Sequence, residues 1–162
     1  MATPGIGQLM IERYAKVRRE RLFHSNGEAA NGEEYVILQD SARGHFPVYL
    51  SARGSSPDVV QLRAHFSARR AHTKRFRLHD CVNRFNDRDK LLTATVRESH
   101  DSSALGVVGD SRFWVRDEGD FGPFVRFVDM SLASAVKLVE RVYEEMELPS
   151  AAELERSLPM TG

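Results

Sequence analysis

The segment CVNRFNDRDKLL, residues 81–92, carries two asparagines three positions apart, Asn83 and Asn86, at the predicted change from helix to strand. Apolar residues before it recur every three or four positions, which predicts a helix over residues 74–86. Directly after it, LLTATVRE (91–98) predicts a strand. Asparagine is a poor helix-interior residue because its amide competes for backbone hydrogen bonds. Asn86 falls where the helix has to end, and asparagine tolerates the left-handed conformation that ends helices.

Working outward from this stretch, the chain divides into short elements joined by short turns. A basic amphipathic helix is predicted over 6–22 and the clearest helix over 131–147, with strands at 34–39, 46–52, 58–67, 91–98 and 111–118. The 58–67 segment alternates with a period of two, which favours a half-buried strand, although a helix can also be drawn there. Pro47 restricts its strand to an edge of the sheet or to the first strand residues. Residues 101–110 are interpreted as a loop, and Trp114 as a packing residue.

The order of these elements is α-β-β-β-α-β-β-α. Sequential strands joined by short turns imply an antiparallel sheet, and the apolar stripes of the helices need a sheet face to cover. The predicted fold class is therefore α+β, a two-layer domain with an antiparallel sheet of about five strands and helices packed on it. We expect a single domain over residues 1–148 and a flexible C-terminal tail over 149–162.

Composition limits the classes of function. The 162 residues contain 23 basic and 23 acidic side chains, so no overall charge favours nucleic acid or an anionic membrane. The one cysteine, Cys81, cannot form an internal disulfide and is interpreted as a small buried residue of the helix. No apolar run is long enough for a signal peptide or a membrane span, and a cytoplasmic protein is expected.

Signals for chemistry are weak. The six histidines are scattered and lack the spacing of a helical metal site; His72 and His79 are seven residues apart and more typical of a solvated face. The segment GVVGDS lacks the third glycine and the lysine of a phosphate-binding loop, and no G-x-S-x-G element is present. We therefore predict that the protein is not an enzyme and that it needs no cofactor or metal.

Charge is distributed unevenly along the chain. From Arg63 to Arg77 there are five arginines and one lysine with no acid, whereas residues 138–155 carry six glutamates and one arginine. Two solvated faces, a polar surface for a protein partner, and nucleic-acid contact through the basic stretch 63–77 all remain open. The candidate interaction residues in the basic stretch are Arg69, Arg70, Lys74, Arg75 and Arg77.

The apolar stretch FGPFVRFV, residues 121–128, is richer in phenylalanine and valine than a solvated loop. Contiguous exposed apolar patches usually mark interfaces. Phe121, Phe124 and Phe127 are therefore candidate interaction residues, and burial of this stretch against a second copy predicts a symmetric homodimer.

The segment VNRFNDRDKLLTATV resembles the signature of the YbjN family, bacterial sensory transduction regulator-like domains. Members carry an N-x-x-N element at the end of the second helix followed by a strand, and here that element is Asn83, Arg84, Phe85 and Asn86. Phe85 stands where many members have tryptophan. The family is similar in fold to the class I type III secretion chaperones, which are typically dimers. The resemblance covers roughly residues 5–148.

The resemblance implies that Asn83 bonds the backbone of the turn or of an adjoining strand and so orients the helix on the sheet; the competing interpretation is that the two amides bind a ligand. It also implies a non-catalytic cytoplasmic protein-binding module, chaperone-like or regulatory. The alternative is a nucleic-acid-binding regulator that uses the basic stretch 63–77. The partner would be a protein, with nucleic acid and membrane disfavoured.

Overall fold

The computed structural model describes residues 5–18, 22–25, 34–52, 58–68, 75–98 and 105–146. Three helices and six strands are present in this part of the chain, with a short 3₁₀ turn before the last helix. The helices are α1 (Ile6–Val17), α2 (Arg75–Arg88) and α3 (Phe121–Glu145). The strands are β1 (Leu22–Ser25), β2 (Glu34–Ser41), β3 (Gly44–Ser51), β4 (Val59–Ser67), β5 (Thr93–Glu98) and β6 (Leu105–Trp114). The predicted domain end at residue 148 and the predicted tail lie outside the described residues.

The strands form one antiparallel sheet in the order β1-β2-β3-β4-β6-β5. The α+β class and the order of the predicted elements are confirmed. The one addition is β1, a four-residue edge strand at the end of the segment predicted as the first helix. That helix ends at Val17 instead of residue 22.

Residues 59–67, for which the sequence allowed either a strand or a helix, form strand β4. Val60, Leu62 and Ala64 are fully buried, whereas Gln61 and Arg63 between them are half-buried. The whole strand pairs with β6. The helical alternative is therefore wrong, because the period-two pattern reports one buried and one open sheet face.

Strand β3 is internal and begins three residues before Pro47, so neither position predicted for Pro47, an edge strand or the first strand residues, is the observed one. Pro47 is the fourth residue of β3 and lies opposite Leu38 of β2. Because proline has no N–H, this pair is of the non-hydrogen-bonded type, which turns the backbone of Pro47 toward β4. The β3–β4 pairing runs only from Val48 to Ser51. The sheet thus tolerates Pro47 by leaving a gap between the first half of β3 and the second half of β4.

The helices pack on one face of this sheet. α1 contacts β3 and β4, α2 contacts β5, and α3 contacts β2, β4 and β6. Alternate residues of the central strands are buried beneath them, and the core lies between the two layers. The opposite face, which we call the open face, is covered by none of the helices in the described ranges.

Strand β6 begins earlier than predicted and corrects two expectations. Residues 105–110, interpreted as part of a loop, are strand and pair with both β4 and β5. Glycines at 106 and 109 weaken the local strand pattern, and pairing on both sides overrides it. Trp114, expected to pack in the core, is 72% exposed at the end of β6.

Asn86 has a different role from the one predicted. It lies within α2, which continues to Arg88, and not at the helix end. Its side-chain amide donates to the carbonyl of Ala94 in β5 (2.9 Å) and its Oδ1 accepts from the N–H of Ala94 (2.7 Å). The contact that the resemblance assigns to Asn83 is therefore made by Asn86, and Asn83 is exposed on α2. The amide of Asn86 is engaged within the protein, which does not favour the ligand-binding interpretation.

This contact also explains how one edge of the sheet is protected. β5 is the last strand on its side of the described sheet. The N–H and C=O of Ala94 are both hydrogen-bonded to the side chain of Asn86. These groups therefore point away from β6, toward the outer edge of the sheet. Unpaired edge groups are a template for association with other chains, and covering them prevents it. Asn86 thus joins helix to sheet and closes part of an edge.

None of the helices, over the residues that the structure covers, is both long enough and apolar enough to cross a bilayer.

Candidate functional site: an arginine-lined groove on the open face

The open face carries polar and charged side chains at the positions that alternate with the core. On β4 and β6 the register places Arg63 opposite Asp110 and Gln61 opposite Arg112. Arg97 of β5 lies opposite Gly106. The alternation of the strands therefore brings residues far apart in sequence onto one surface.

A groove of about 970 Å³ runs over this surface, beside the gap between β3 and β4. Its floor includes the small residues Ser67 and Gly106, and it extends through the gap to Val139 and Tyr143 of α3. Small-molecule pockets range from about 300 to 1,000 Å³, and grooves of this size also hold short peptide segments. The groove is the candidate functional site.

The charge of the groove is predominantly positive. Its one carboxylate, that of Asp110, accepts a hydrogen bond from the side chain of Gln61 (2.7 Å) and lies 3.7 Å from Arg112. In the described ranges, neither Arg63 nor Arg97 has a carboxylate within ion-pairing distance. Among the described residues, no carboxylate neutralises these two guanidinium groups by direct contact, which suits them to an anionic ligand.

His65 lies between these arginines on the open face. Burial lowers its pKa below 6.5, the nearby charges of Arg63 and Arg97 lower it further, and Glu34 opposes the shift. Its ring makes an edge-to-face contact with Tyr49, with centroids 5.1 Å apart. Burial and the two arginines therefore favour the neutral form of His65 over the protonated one.

The lowered pKa of His65 predicts a pH dependence of stability. The unfolded chain takes up a proton near pH 6.5 and the folded protein only at lower pH, so acidification through this window favours unfolding. We expect the unfolding free energy to fall from pH 7.5 to pH 5.5 and to fall less in His65→Gln. Urea titrations at both pH values measure this, with His79→Gln, a change at an exposed position on α2, as the control. An identical pH dependence in His65→Gln and wild type would contradict it.

The other groups with shifted pKa values lie outside the groove. Burial, with a smaller contribution from Glu145, raises the pKa of Cys81 to about 12, and Cys81 is fully buried in α2. Burial and the hydrogen bond to Asp129 raise the pKa of Tyr14 to about 12. No cluster of three metal-ligating side chains occurs within the described ranges, where His79 is exposed on α2; His72 lies outside them.

The predicted basic surface is divided in the structure. Arg75 and Arg77 lie on α2, in the helical layer, and Arg75 forms an ion pair with Glu98 (2.9 Å). Arg63, from the same sequence stretch, lies on the opposite face of the sheet. The remaining candidates, Arg69, Arg70 and Lys74, lie outside the described residues.

The stretch FGPFVRFV, predicted as an apolar interaction surface, forms the first two turns of α3 and packs on the core. Phe124 is completely buried, and Phe121 and Phe127 are half-buried against the core. Pro123 falls in the first helical turn, where a missing N–H costs little.

The homodimer stays a prediction, and the burial of Phe124 means that the stretch 121–128 is not the fully exposed apolar patch from which the dimer was predicted. Sedimentation at micromolar concentration measures it, with a mass of about twice the 18.3 kDa of the chain expected for a dimer. A monomer mass over the whole concentration range would contradict it.

Four groove residues were not among the predicted site residues: His65, Arg97, Asp110 and Arg112. His65 could have been placed on the open face from the sequence, because it alternates with the apolar residues of β4. Arg112 and Asp110 were assigned to different elements once β6 had been divided into a loop and a strand. Without the pairing of β6 with both neighbours, nothing placed these side chains next to Arg63.

Comparison with known proteins shows similarity in fold alone. No protein-family model matches the chain, and no curated protein matches it in sequence. Among solved structures, an uncharacterized protein from Methanothermobacter thermautotrophicus superposes with a TM-score of 0.52 at 9% identity, covering 87% of this chain and 99% of that one. The structure of "YbjN, a putative transcription regulator from E. coli" superposes with a TM-score of 0.57 at 9% identity, covering 82% and 87%. The chain therefore has a fold like that of YbjN.

Proposed function

We propose that this protein is a non-catalytic, cytoplasmic protein-binding module of a chaperone-like or regulatory kind, and that the groove on the open face is its docking site. The observation that carries the proposal is a groove beside the gap between strands β3 and β4, on a sheet face that no described helix covers. An antiparallel sheet commonly leaves one face solvated, and a concave site on such a face is suited to a ligand.

The chemistry of the groove supports binding and not catalysis. General acid–base catalysis needs a titratable group with a tuned pKa within hydrogen-bond reach of the substrate atom, with further groups that orient it. His65 lines the groove with a lowered pKa and its ring contacts Tyr49, and the carboxylate of Asp110, which lies opposite Arg63, is already engaged by Gln61 and Arg112. The arrangement offers fixed positive charge and hydrogen-bonding groups, which recognise a partner without transforming it.

The fold comparison is consistent with this proposal. The YbjN structure is that of a protein considered a regulator of transcription, and regulators act by binding. The alternative of a nucleic-acid-binding regulator through residues 63–77 has less support. Of its described arginines, Arg63 lies on the open face and Arg75 and Arg77 lie on α2 in the helical layer, so these three do not form one surface for a nucleic-acid strand.

Site-specific photo-crosslinking tests the proposal. A photoreactive residue at Thr95, which is exposed beside the groove, is expected to crosslink one defined polypeptide in cells. The matched control is the same residue at His79, exposed on α2. The same adduct pattern from both positions, or none from Thr95, would contradict docking at the groove.

A further inference from the structure

The gap beside the groove exposes strand backbone. Ala68 donates its N–H to Leu105 of β6 (2.8 Å), so even-numbered residues at this end of β4 direct their backbone toward β6. The alternation of an antiparallel strand then directs the backbone of His65 and Ser67 toward β3. The pairing of β3 with β4 does not extend to these residues. Their N–H and C=O groups therefore have no partner strand in the described part of the chain.

Side chains of fixed charge surround this exposed backbone. Arg63 lies two residues before His65 on the same face, within reach of a ligand residue placed diagonally across the gap. Arg97 lies in one row with Gly106 and Ser67 across β5, β6 and β4. Because Gly106 has no side chain and serine a short one, the guanidinium of Arg97 has a clear path over the floor of the groove.

We propose that the ligand of the groove is an extended, acidic peptide segment of a partner protein. Its backbone pairs with His65 and Ser67 of β4, and its carboxylates bind Arg63 and Arg97. The inference deepens the proposed function, on which it rests, by naming the chemistry of the partner. An extended peptide presents backbone groups and alternate side chains together, which is what a strand edge beside two arginines can recognise.

The backbone N–H and C=O groups of His65 and Ser67 that face the gap favour a peptide ligand over a nucleic acid. Phosphates would also bind the arginines, but a nucleic-acid strand has no regular N–H and C=O pattern to pair with β4. The chain as a whole has 23 basic and 23 acidic residues, which does not favour a polyanion of high charge density. The geometry therefore points to the peptide.

Fluorescence anisotropy with labelled synthetic peptides tests the inference on the full chain. The probes are an alternating Glu-Val octapeptide, the same peptide with N-methylated valines, an alternating Lys-Val octapeptide, and a single-stranded oligothymidine. We expect the Glu-Val peptide to bind most tightly. N-methylation should weaken it by at least about fivefold, because it removes hydrogen bonds that contribute about 1 kcal/mol each.

Charge-reversal variants locate the site. Arg63→Glu with Arg97→Glu is expected to weaken binding of the Glu-Val peptide by about a hundredfold, since two charge-assisted contacts are lost. The matched control is Arg77→Glu with Arg88→Glu, the same change of net charge on exposed positions of α2, with an effect below about threefold at 0.15 M salt. Circular dichroism of each variant verifies that the fold is kept.

Several results would overturn the inference. The first is that the Glu-Val peptide does not bind at 1 mM, and the second is that the Lys-Val peptide binds as tightly as the Glu-Val peptide. The third is that the α2 control variant loses as much affinity for the Glu-Val peptide as the groove variant. The fourth is that oligothymidine binds more tightly than the Glu-Val peptide, which would assign the groove to nucleic acid. A failure of the proposed function can be told apart from a failure of this inference. A partner crosslinked from Thr95 by a segment without acidic residues would retain docking at the groove and reject only the acidic peptide.

Discussion

Replacement of Phe124 by alanine is expected to lower the free energy of unfolding by about 3–5 kcal/mol, the range for deleting a buried phenylalanine ring. Phe124 is completely buried. Its ring makes edge-to-face contacts with Tyr14 of α1 (6.2 Å between centroids) and with Phe113 of β6 (5.6 Å). One side chain thus joins α3 to both α1 and the sheet. Alanine would leave a cavity between all three, and urea denaturation followed by circular dichroism measures the loss.

Two further variants make this result decisive. Phe76→Ala is the matched control, because Phe76 is 88% exposed on α2 and its loss should change stability by less than about 0.5 kcal/mol. Small domains are stable by only about 5–15 kcal/mol, so Phe124→Ala can come close to unfolding, whereas Phe124→Leu should cost only about 1–2 kcal/mol. If Phe124→Ala were as stable as Phe76→Ala, the residue would not be a core residue.

Asn86→Ala is expected to destabilise the protein by about 2–3 kcal/mol. The substitution removes two hydrogen bonds worth about 1 kcal/mol each and leaves the N–H and C=O of Ala94 without partners. Ala94 is 4% exposed, so water does not readily replace the lost bonds. The same change opens part of the outer edge of β5, and we expect concentration-dependent aggregation during refolding.

Asn83 provides the matched control for Asn86. It belongs to the same helix and has the same chemistry, but its side chain is exposed. Asn83→Ala should be neutral or stabilising by a few tenths of a kcal/mol, because alanine is the better helix former. Urea titrations of both variants measure the difference. Equal effects of the two substitutions would show that the contact with Ala94 contributes nothing.

The regular elements could be predicted because they depend on local spacing. The alternation in 58–67 predicted β4, and the stripe of Leu78, Cys81 and Phe85 predicted α2 with an error of one or two residues at each end. Each pattern records which face of an element is apolar, and a two-layer fold buries those faces together. The N-x-x-N element, Asn83 to Asn86, lies inside the second half of α2, two residues before the helix ends at Arg88, and β5 follows at Thr93.

The prediction failed where neighbours in space outweighed local preference. Gly122 and Pro123 obscured the start of α3, although Phe124 and Val128 continue its apolar stripe toward the N-terminus. Gly106 and Gly109 likewise concealed the first half of β6. In both segments the residues that stabilise the element belong to other strands and helices, and spacing along one segment does not report them.

Local patterns along the chain were enough for the class of the fold, for the order of the three helices and of strands β2 to β6, and for the buried faces of β4 and α2. The strand order β3-β4-β6-β5, and with it the groove, depends on pairing between segments distant in sequence. Arg63 and Arg97 are 34 positions apart in the chain and share one surface because β6 pairs with both of their strands. The pairing of β3 with β4 stops next to Pro47, but whether a proline interrupts pairing depends on which strand lies on the side of its missing N–H. Strand pairing is a non-local choice, and the surface it creates can be read only once the partners are known.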